Sequence, residues 1–261
     1  MAGRTIGMRA ERNNREATLP ALSVVIPCLN EAARLPLLLA DLQRYTPIPE
    51  LLVVDGGSGD RSAEVAELAG ARVLPSVPAC RGRQLATGAR QASNSWLLFL
   101  HADSRLPRQW PEAVADAMRA ADAATNAWYF PLTIEPSTAA RRVLERLVNL
   151  RSRVVQTPYG DQGLLIHRHL YDASGGFEDL PLMEDLDLVQ RVGQRAALRP
   201  LSCCIQTDGR RWERDGVLGR SWRNARLRQR WRQGESAQSL AAAYDGSPSP
   251  LLQLAYQKPQ R

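Results

Sequence analysis

Trp96-Leu97-Leu98-Phe99-Leu100-His101-Ala102-Asp103-Ser104 is a short, almost wholly apolar run that ends abruptly in a histidine and a carboxylate. Its length, its large apolar side chains and the Pro107 that follows read as a strand buried on both faces, the kind found inside a parallel α/β sheet. In such sheets ligands sit just beyond the carboxyl ends of the strands. Asp103 therefore stands where a ligand would bind.

Upstream, Leu22-Ser23-Val24-Val25-Ile26 is a β-branched strand stopped by Pro27, and Cys28-Leu29-Asn30-Glu31 leads into the helical spacing of Leu35, Leu38, Leu39 and Leu42. Leu51-Leu52-Val53-Val54 is a second strand, running into Asp55-Gly56-Gly57-Ser58-Gly59-Asp60; a helix over residues 61–69 and a third strand, Ala71-Arg72-Val73-Leu74, follow. Repeated alternation of strand and helix implies right-handed crossovers and a parallel sheet. Arg81-Gly82-Arg83-Gln84 heads a further helix, whose free N–H groups and two arginines suit a phosphate and equally suit an ordinary basic face.

Downstream of Asp103 the pattern predicts a helix over residues 111–121, one strand over 128–134, and an amphipathic helix over 138–154 with Val143, Leu147 and Leu150 on one face. Tyr159-Gly160-Asp161-Gln162-Gly163 is a turn-rich loop before the strand Leu164-Leu165-Ile166. Met183-Glu184-Asp185 opens a helix with Leu186, Val189 and Val192 facing inward, and residues 198–205 form a last strand. A basic helix to about Arg232 and a short one over residues 237–244 complete the pattern.

The chain has 261 residues, 44% hydrophobic and 23% charged, which suits one large α/β domain with a small appendage. Net charge is +7, and Lys258 is the only lysine, so the excess is arginine, whose planar fork suits phosphate and carboxylate. An arginine-favouring codon usage with a solvated basic face accounts for the same number. Four cysteines without Cys-x-x-Cys spacing and three scattered histidines give no zinc pattern, so reduced, packed thiols are expected. No apolar stretch approaches the roughly 18 residues of a membrane span, and the start is polar and arginine-rich without a hydrophobic signal core. The expected location is the cytoplasm, with room for peripheral contact at the inner membrane face. Residues 1–20 read as a disordered basic arm, 21–216 as the main domain, 217–246 as a basic helical extension and 247–261 as a polar tail.

Acidic side chains recur at strand ends or helix starts: Glu31, Asp55, Asp103 and the pair Glu184-Asp185. If they converge, their repulsion implies a shared divalent metal, a base with a shifted pKa, or hydrogen bonds to a ligand. Singly, Asp55 and Asp185 are equally well read as turn or helix caps. Together they stand in a recognisable order. Val24-Val25-Ile26-Pro27-Cys28-Leu29-Asn30-Glu31, Val53-Val54-Asp55-Gly56-Gly57-Ser58, Phe99-Leu100-His101-Ala102-Asp103 and Met183-Glu184-Asp185-Leu186-Asp187 resemble the motifs of family 2 glycosyltransferases of the GT-A fold. The His-Ala-Asp form, with Gly160-Asp161-Gln162 and Arg211-Trp212-Glu213-Arg214, is similar to a small soluble bacterial subgroup.

The resemblance implies a mixed, mostly parallel central sheet flanked by helices, and an inverting transfer of a sugar from a nucleotide diphosphate, a UDP-sugar or GDP-sugar, to a hydroxyl acceptor. Donor-site residues would be Pro27, Asn30, Glu31, Asp55 and Gly57 at the nucleoside, Arg83 at the diphosphate, His101, Ala102 and Asp103 at the metal-diphosphate, and Arg211 and Trp212 closing over it. Asp103 matches the last residue of the family's Asp-x-Asp motif and would ligate Mg²⁺ or Mn²⁺. His101 replaces the first Asp; imidazole suits Mn²⁺ better than Mg²⁺, and it suits direct contact with sugar or phosphate equally. Asp185 would be the general base, Glu184 would tune it or hold the acceptor, and Asp161 and Gln162 would line the acceptor side.

The tryptophan-interleaved basic helix has two readings: contact with an anionic membrane that carries a lipid-linked acceptor, or packing on the domain or on a second copy in a homodimer. No nucleic-acid-binding module is present to use the charge. Competing functions are a non-catalytic nucleotide-sugar or membrane-surface protein, and a sugar nucleotidyltransferase, which would call for a glycine-rich phosphate loop after the first strand.

Overall fold

The structure, a computed structural model, describes residues 19–208 and 217–245. In chain order the elements are β1 (Leu22–Cys28), α1 (Leu35–Leu42), β2 (Glu50–Asp55), α2 (Ser62–Leu68), β3 (Arg72–Pro75), α3 (Arg81–Gln91), β4 (Trp96–Phe99), α4 (Trp110–Arg119), β5 (Ala127–Tyr129), β6 (Leu132–Glu135), α5 (Ala139–Val154), β7 (Leu164–His167), α6 (Arg168–Ala173), α7 (Glu184–Gly193), β8 (Leu198–Pro200), β9 (Ile205–Asp208), α8 (Val217–Arg232) and α9 (Ala237–Asp245). The main sheet has seven strands in the order β3-β2-β1-β4-β7-β5-β8. All run parallel except β7, which is antiparallel to both neighbours.

Both faces of the sheet are apolar because its strands carry unbroken runs of large side chains, which strand alternation then deals to opposite sides. Leu22, Val24 and Ile26 of β1, Leu51 and Val53 of β2 and Leu98 of β4 meet α1, α2 and α4 in one core. Val25, Leu52, Val54, Leu97 and Phe99 meet α3, α6 and α7 in the other. A Cβ at Gly88 in α3 would overlap the side chain of Val25, so a glycine is what lets this helix lie flat on the sheet.

Two expected strands each prove to be two. The run over residues 128–134 breaks at Pro131, which has no N–H for the ladder; β5 stays in the main sheet, while β6 leaves it to pair in parallel with β9 in a two-stranded sheet. The run over residues 198–205 divides likewise into β8 and β9. The crossing is bonded at both ends, by Leu201 N–H to Tyr129 O at 2.7 Å and Ile205 N–H to Pro131 O at 2.9 Å. In α5 the anticipated stripe is present, yet Val143, Leu147 and Leu150 point to solvent, and Leu144 and Val148 pack inward. No helix among the described residues is long and apolar enough to cross a membrane.

Candidate active site

The segment that follows β4 delivers His101 and Asp103 to a pocket. Leu100 N–H still bonds to Val25 O at 3.1 Å, and the chain then turns, with Ser104 N–H on His101 O at 3.1 Å. The turn is fixed from behind. Asp41, fully buried in α1, accepts from Arg105 Nε at 2.7 Å and from Leu106 N–H at 3.0 Å. His101 and Asp103, both half-buried, face a pocket of about 960 Å³ including its open mouth, shared with Arg81, Tyr159, Asp161, Asp185 and Arg228. Ala102 between them turns its methyl into the core.

Asp185 lies in the first turn of α7, behind Met183, whose φ of 68° is an uncommon left-handed backbone for a non-glycine residue. Its Oδ2 accepts the Gly160 N–H at 2.6 Å and its Oδ1 the Leu186 N–H at 2.7 Å. These bonds aim the carboxylate into the pocket and leave lone pairs for a proton. Glu184 beside it is buried and ion-paired to Arg81, with Oε2 unpartnered. Burial raises its pKa, against the opposing Arg81 charge. Burial also disfavours the Arg81 charge, but Glu184 and Asp185 outweigh this and hold the guanidinium protonated. Glu184 is thus an anchor for Arg81.

The loop after α5 supplies the opposite wall. Burial pushes the Asp161 carboxyl up to about 6, with Arg151 opposing and the Asp185 and Asp103 charges adding. Its Oδ1 is buried with no hydrogen-bond partner. Gln162, placed with the acceptor by resemblance, is instead fully buried and structural. Its amide accepts from Ser152 Oγ at 2.8 Å and Tyr159 N–H at 3.2 Å and donates to Phe130 O at 3.3 Å, clamping the loop to α5 and the sheet. Tyr159 carries two guanidiniums against its ring, Arg151 at 3.4 Å and Arg228 at 4.7 Å from the centroid.

At the ends of β1 and β2, Pro27 is buried in the strand and the two loops brace each other. Gly59 N–H bonds to Asn30 Oδ1 at 2.8 Å, Asn30 N–H to Ser58 Oγ at 2.9 Å and Glu31 N–H to Ser62 Oγ at 2.8 Å. Asp55 caps its own turn, accepting from the N–H groups of Gly57 and Ser58 at 3.0 Å each, and Gly57 holds the φ of 93° that this turn requires. The buried Gln84 amide joins the two strand ends, donating to Cys28 O at 2.9 Å and Val54 O at 2.8 Å. Arg83 points elsewhere, into an exposed ion pair with Asp179 at 2.7 Å; Arg81 is the arginine of α3 that reaches the pocket. Arg211 and Trp212 lie outside the described residues.

The C-terminal helices close the pocket. Leu227 of α8 and Leu240 of α9 are buried against Met183 and Leu186, with Trp231 alongside, so this face of the basic helix packs on the domain, while Trp222 stays 66% exposed. Asn224, Leu227 and Arg228 of α8 and Tyr244 of α9 line the pocket. Sequence reasoning missed these residues, together with Arg151 and Tyr159, and it named Arg81 only beside Arg83 at a helix head suited to a phosphate. The only signal for Arg228 was the arginine run itself, which does not say which arginine turns inward.

Among the described residues no three His, Cys, Asp or Glu side chains gather as a ready-made metal cluster. The donors at the end of the central strand are the Asp103 carboxylate and the His101 imidazole. Such a set fits a divalent ion whose coordination is completed by substrate phosphates, and does not fit an all-protein cage.

With this geometry in place, comparison with known proteins gives the class. The model of glycosyl transferase family 2 matches residues 23–166, more than half of the chain, and the chain belongs to that family. A PGL/p-HBAD biosynthesis glycosyltransferase of Mycobacterium tuberculosis is 37% identical over 94 residues, a stretch covering 33% of this chain and only 37% of that relative. A mannosyltransferase from Pyrobaculum calidifontis, solved with GDP-Man and Mn²⁺, superposes with a TM-score of 0.59 at 17% identity, over 91% of this chain and 79% of its own. TarS 1–349 of S. aureus, solved with UDP-GlcNAc, gives 0.57 at 16% identity, over 72% and 58%. The fold is therefore GT-A.

Proposed function

We propose that this chain transfers a sugar from a nucleotide diphosphate donor, a UDP- or GDP-sugar, to a hydroxyl acceptor with inversion at the anomeric carbon. The observation that carries the reading is that Asp185, held by Gly160 and by its own helix turn, opens into the same pocket as Asp103 and His101. One carboxylate on the acceptor side and one at the strand end is the minimum for a single in-line displacement. Asp185 takes the acceptor proton while that oxygen bonds to the anomeric carbon, and the bond from that carbon to the diphosphate oxygen breaks on the opposite face. No enzyme nucleophile is needed.

The braced loops of Asn30, Glu31, Asp55 and Gly57 would receive the nucleoside at the strand ends, where ligands of open α/β sheets bind. Asp103, with His101 beside it, would hold Mg²⁺ or Mn²⁺, which neutralises charge on the leaving diphosphate. Asp161 would face the acceptor. The donors carried by TarS and the Pyrobaculum enzyme, UDP-GlcNAc and GDP-Man with Mn²⁺, support the donor class. Four free cysteines agree with a cytoplasmic location.

A thermal-shift titration with UDP, GDP, UDP-GlcNAc and GDP-mannose, with Mg²⁺, Mn²⁺ or chelator, on the wild type and Asp103→Ala tests the donor site. A ligand that binds only the folded state stabilises it by about 2.7 kcal/mol at a hundred times its Kd. The expected result is a metal-dependent rise with one nucleotide, lost in Asp103→Ala. No rise with any of them at millimolar concentration overturns the donor assignment.

A further inference from the structure

The outward stripe of α5 is unusual for a helix covering a sheet. At 100° per residue, Val143, Leu147, Leu150 and Val154 fall within an arc of about 60°, and they are 56%, 60%, 59% and 72% exposed. Exposed Arg142, Arg146 and Arg153 occupy an arc of about 40° that begins about 40° beyond the stripe on the same wheel. The single acid of this helix, Glu145, is spent inward, accepting the Ile134 N–H at 2.7 Å, and Asn149 likewise bonds both N–H and C=O of Leu132. The helix is therefore pinned to β6 by its polar side and shows solvent an apolar and cationic one.

Between α5 and α8 runs a groove of about 710 Å³ including its open mouth, with Leu144, Leu147 and Val148 on the α5 wall. It ends at Arg151, Tyr159 and Arg228 and joins the active-site pocket there, since Tyr159 and Arg228 line both. The two guanidiniums press on one ring, burial disfavours the charge on each, and the Arg151 Nε is buried with no hydrogen-bond partner. Asp161 lines the same groove and offsets part of this charge; two poorly solvated cations against one carboxylate, beside an apolar trough, still favour an anion on an apolar stem, where charge-assisted bonds are weakly screened.

We infer that this groove is the acceptor subsite for a single-chain amphiphile that carries the reacting hydroxyl beside its head: the anionic head, a phosphate or carboxylate, sits between Arg151 and Arg228, and the hydrocarbon tail lies along Leu144 and Leu147 toward the exposed stripe of α5. This rests on the transferase reading, because the shared wall sets that hydroxyl toward Asp185, and it names the acceptor class that reading leaves open.

Binding of dodecyl phosphate below its micellar concentration, dodecanol and inorganic phosphate is measured calorimetrically on the full chain, with UDP and GDP titrated on the same samples. Dodecyl phosphate is expected to bind at least about tenfold more tightly than either of the others. Leu147→Asp, at an exposed position that tolerates charge, removes the advantage over inorganic phosphate, and Arg228→Gln removes the advantage over dodecanol. Equal affinity for dodecyl and inorganic phosphate overturns the inference, leaving a bare anion site. So does dodecyl phosphate binding that Leu147→Asp leaves unchanged, or no binding at all. Nucleotide binding that persists in that last case separates failure of the acceptor subsite from failure of the donor reading. If wild type is dimeric and Leu147→Asp monomeric, the face belongs to a second copy and the inference falls.

Discussion

The Gly160 N–H donates to Asp185 Oδ2 over 2.6 Å, so the proposed base is held by the loop that also carries Asp161. A methyl at position 160 would stand 2.9 Å from His101 Nε2 and 3.0 Å from Asp185 Oδ2. Gly160→Ala is expected to push the two side chains apart and lower transfer by about 10²-fold, the cost of roughly an ångström of misplacement. Far-UV circular dichroism should be unchanged. A loss below threefold would show that Gly160 does not set the base.

Arg81 and Glu184 stabilise each other only as a pair. Arg81→Met leaves a buried carboxylate alone and should cost about 3–5 kcal/mol in urea unfolding. The double variant Arg81→Met/Glu184→Gln should recover much of this, because both charges are then gone. Equal losses in the single and double variants would refute the coupling.

Asp161 makes stability fall with rising pH. Its folded-state pKa, about 6, lies above the ordinary 3.8, so the native state holds the proton more tightly than the unfolded chain does. The contribution is fully present below about pH 4 and is lost as pH rises to about 6, amounting to at most about 3 kcal/mol. Asp161→Asn should flatten this part of the pH–stability curve and raise stability at pH 8, with little change at pH 4. Unchanged pH dependence in the variant would contradict the assignment.

Gln162 and Arg83 should behave opposite to what their motifs suggest. Gln162→Ala orphans several buried groups and is expected to cost about 2–4 kcal/mol of stability. Arg83→Ala breaks one exposed ion pair, worth less than about 1 kcal/mol, and should leave nucleotide affinity within twofold. A tenfold weaker donor in Arg83→Ala would put that arginine at the diphosphate after all.

The parallel half of the fold was legible because each strand is one continuous apolar run closed by a polar loop, so β1, β2 and β4 could be read within a residue or two. The divisions into β5 with β6 and β8 with β9 were not: Pro131 and Pro200 mark where each run can break, but only tertiary pairing shows that the second half joins a separate sheet. Periodicity revealed the α5 stripe but not its direction, which depends on Glu145 and Asn149 bonding to β6. The motifs include His101, Asp103, Asp161 and Asp185, which the structure brings to one pocket. They could not choose Arg81 over Arg83, which lie about 200° apart on α3, nor show that a loop glutamine would be the buried clamp.

Asp185→Asn, a near-isosteric change that keeps the side chain but removes its basicity, tests the proposed base. Transfer from the nucleotide sugar identified by thermal shift should fall by at least about 10²-fold, the lower range for loss of a general base, while the Kd for that donor stays within about threefold. Transfer within tenfold of wild type, or a donor affinity that falls together with the rate, would contradict the assignment of Asp185 as the base.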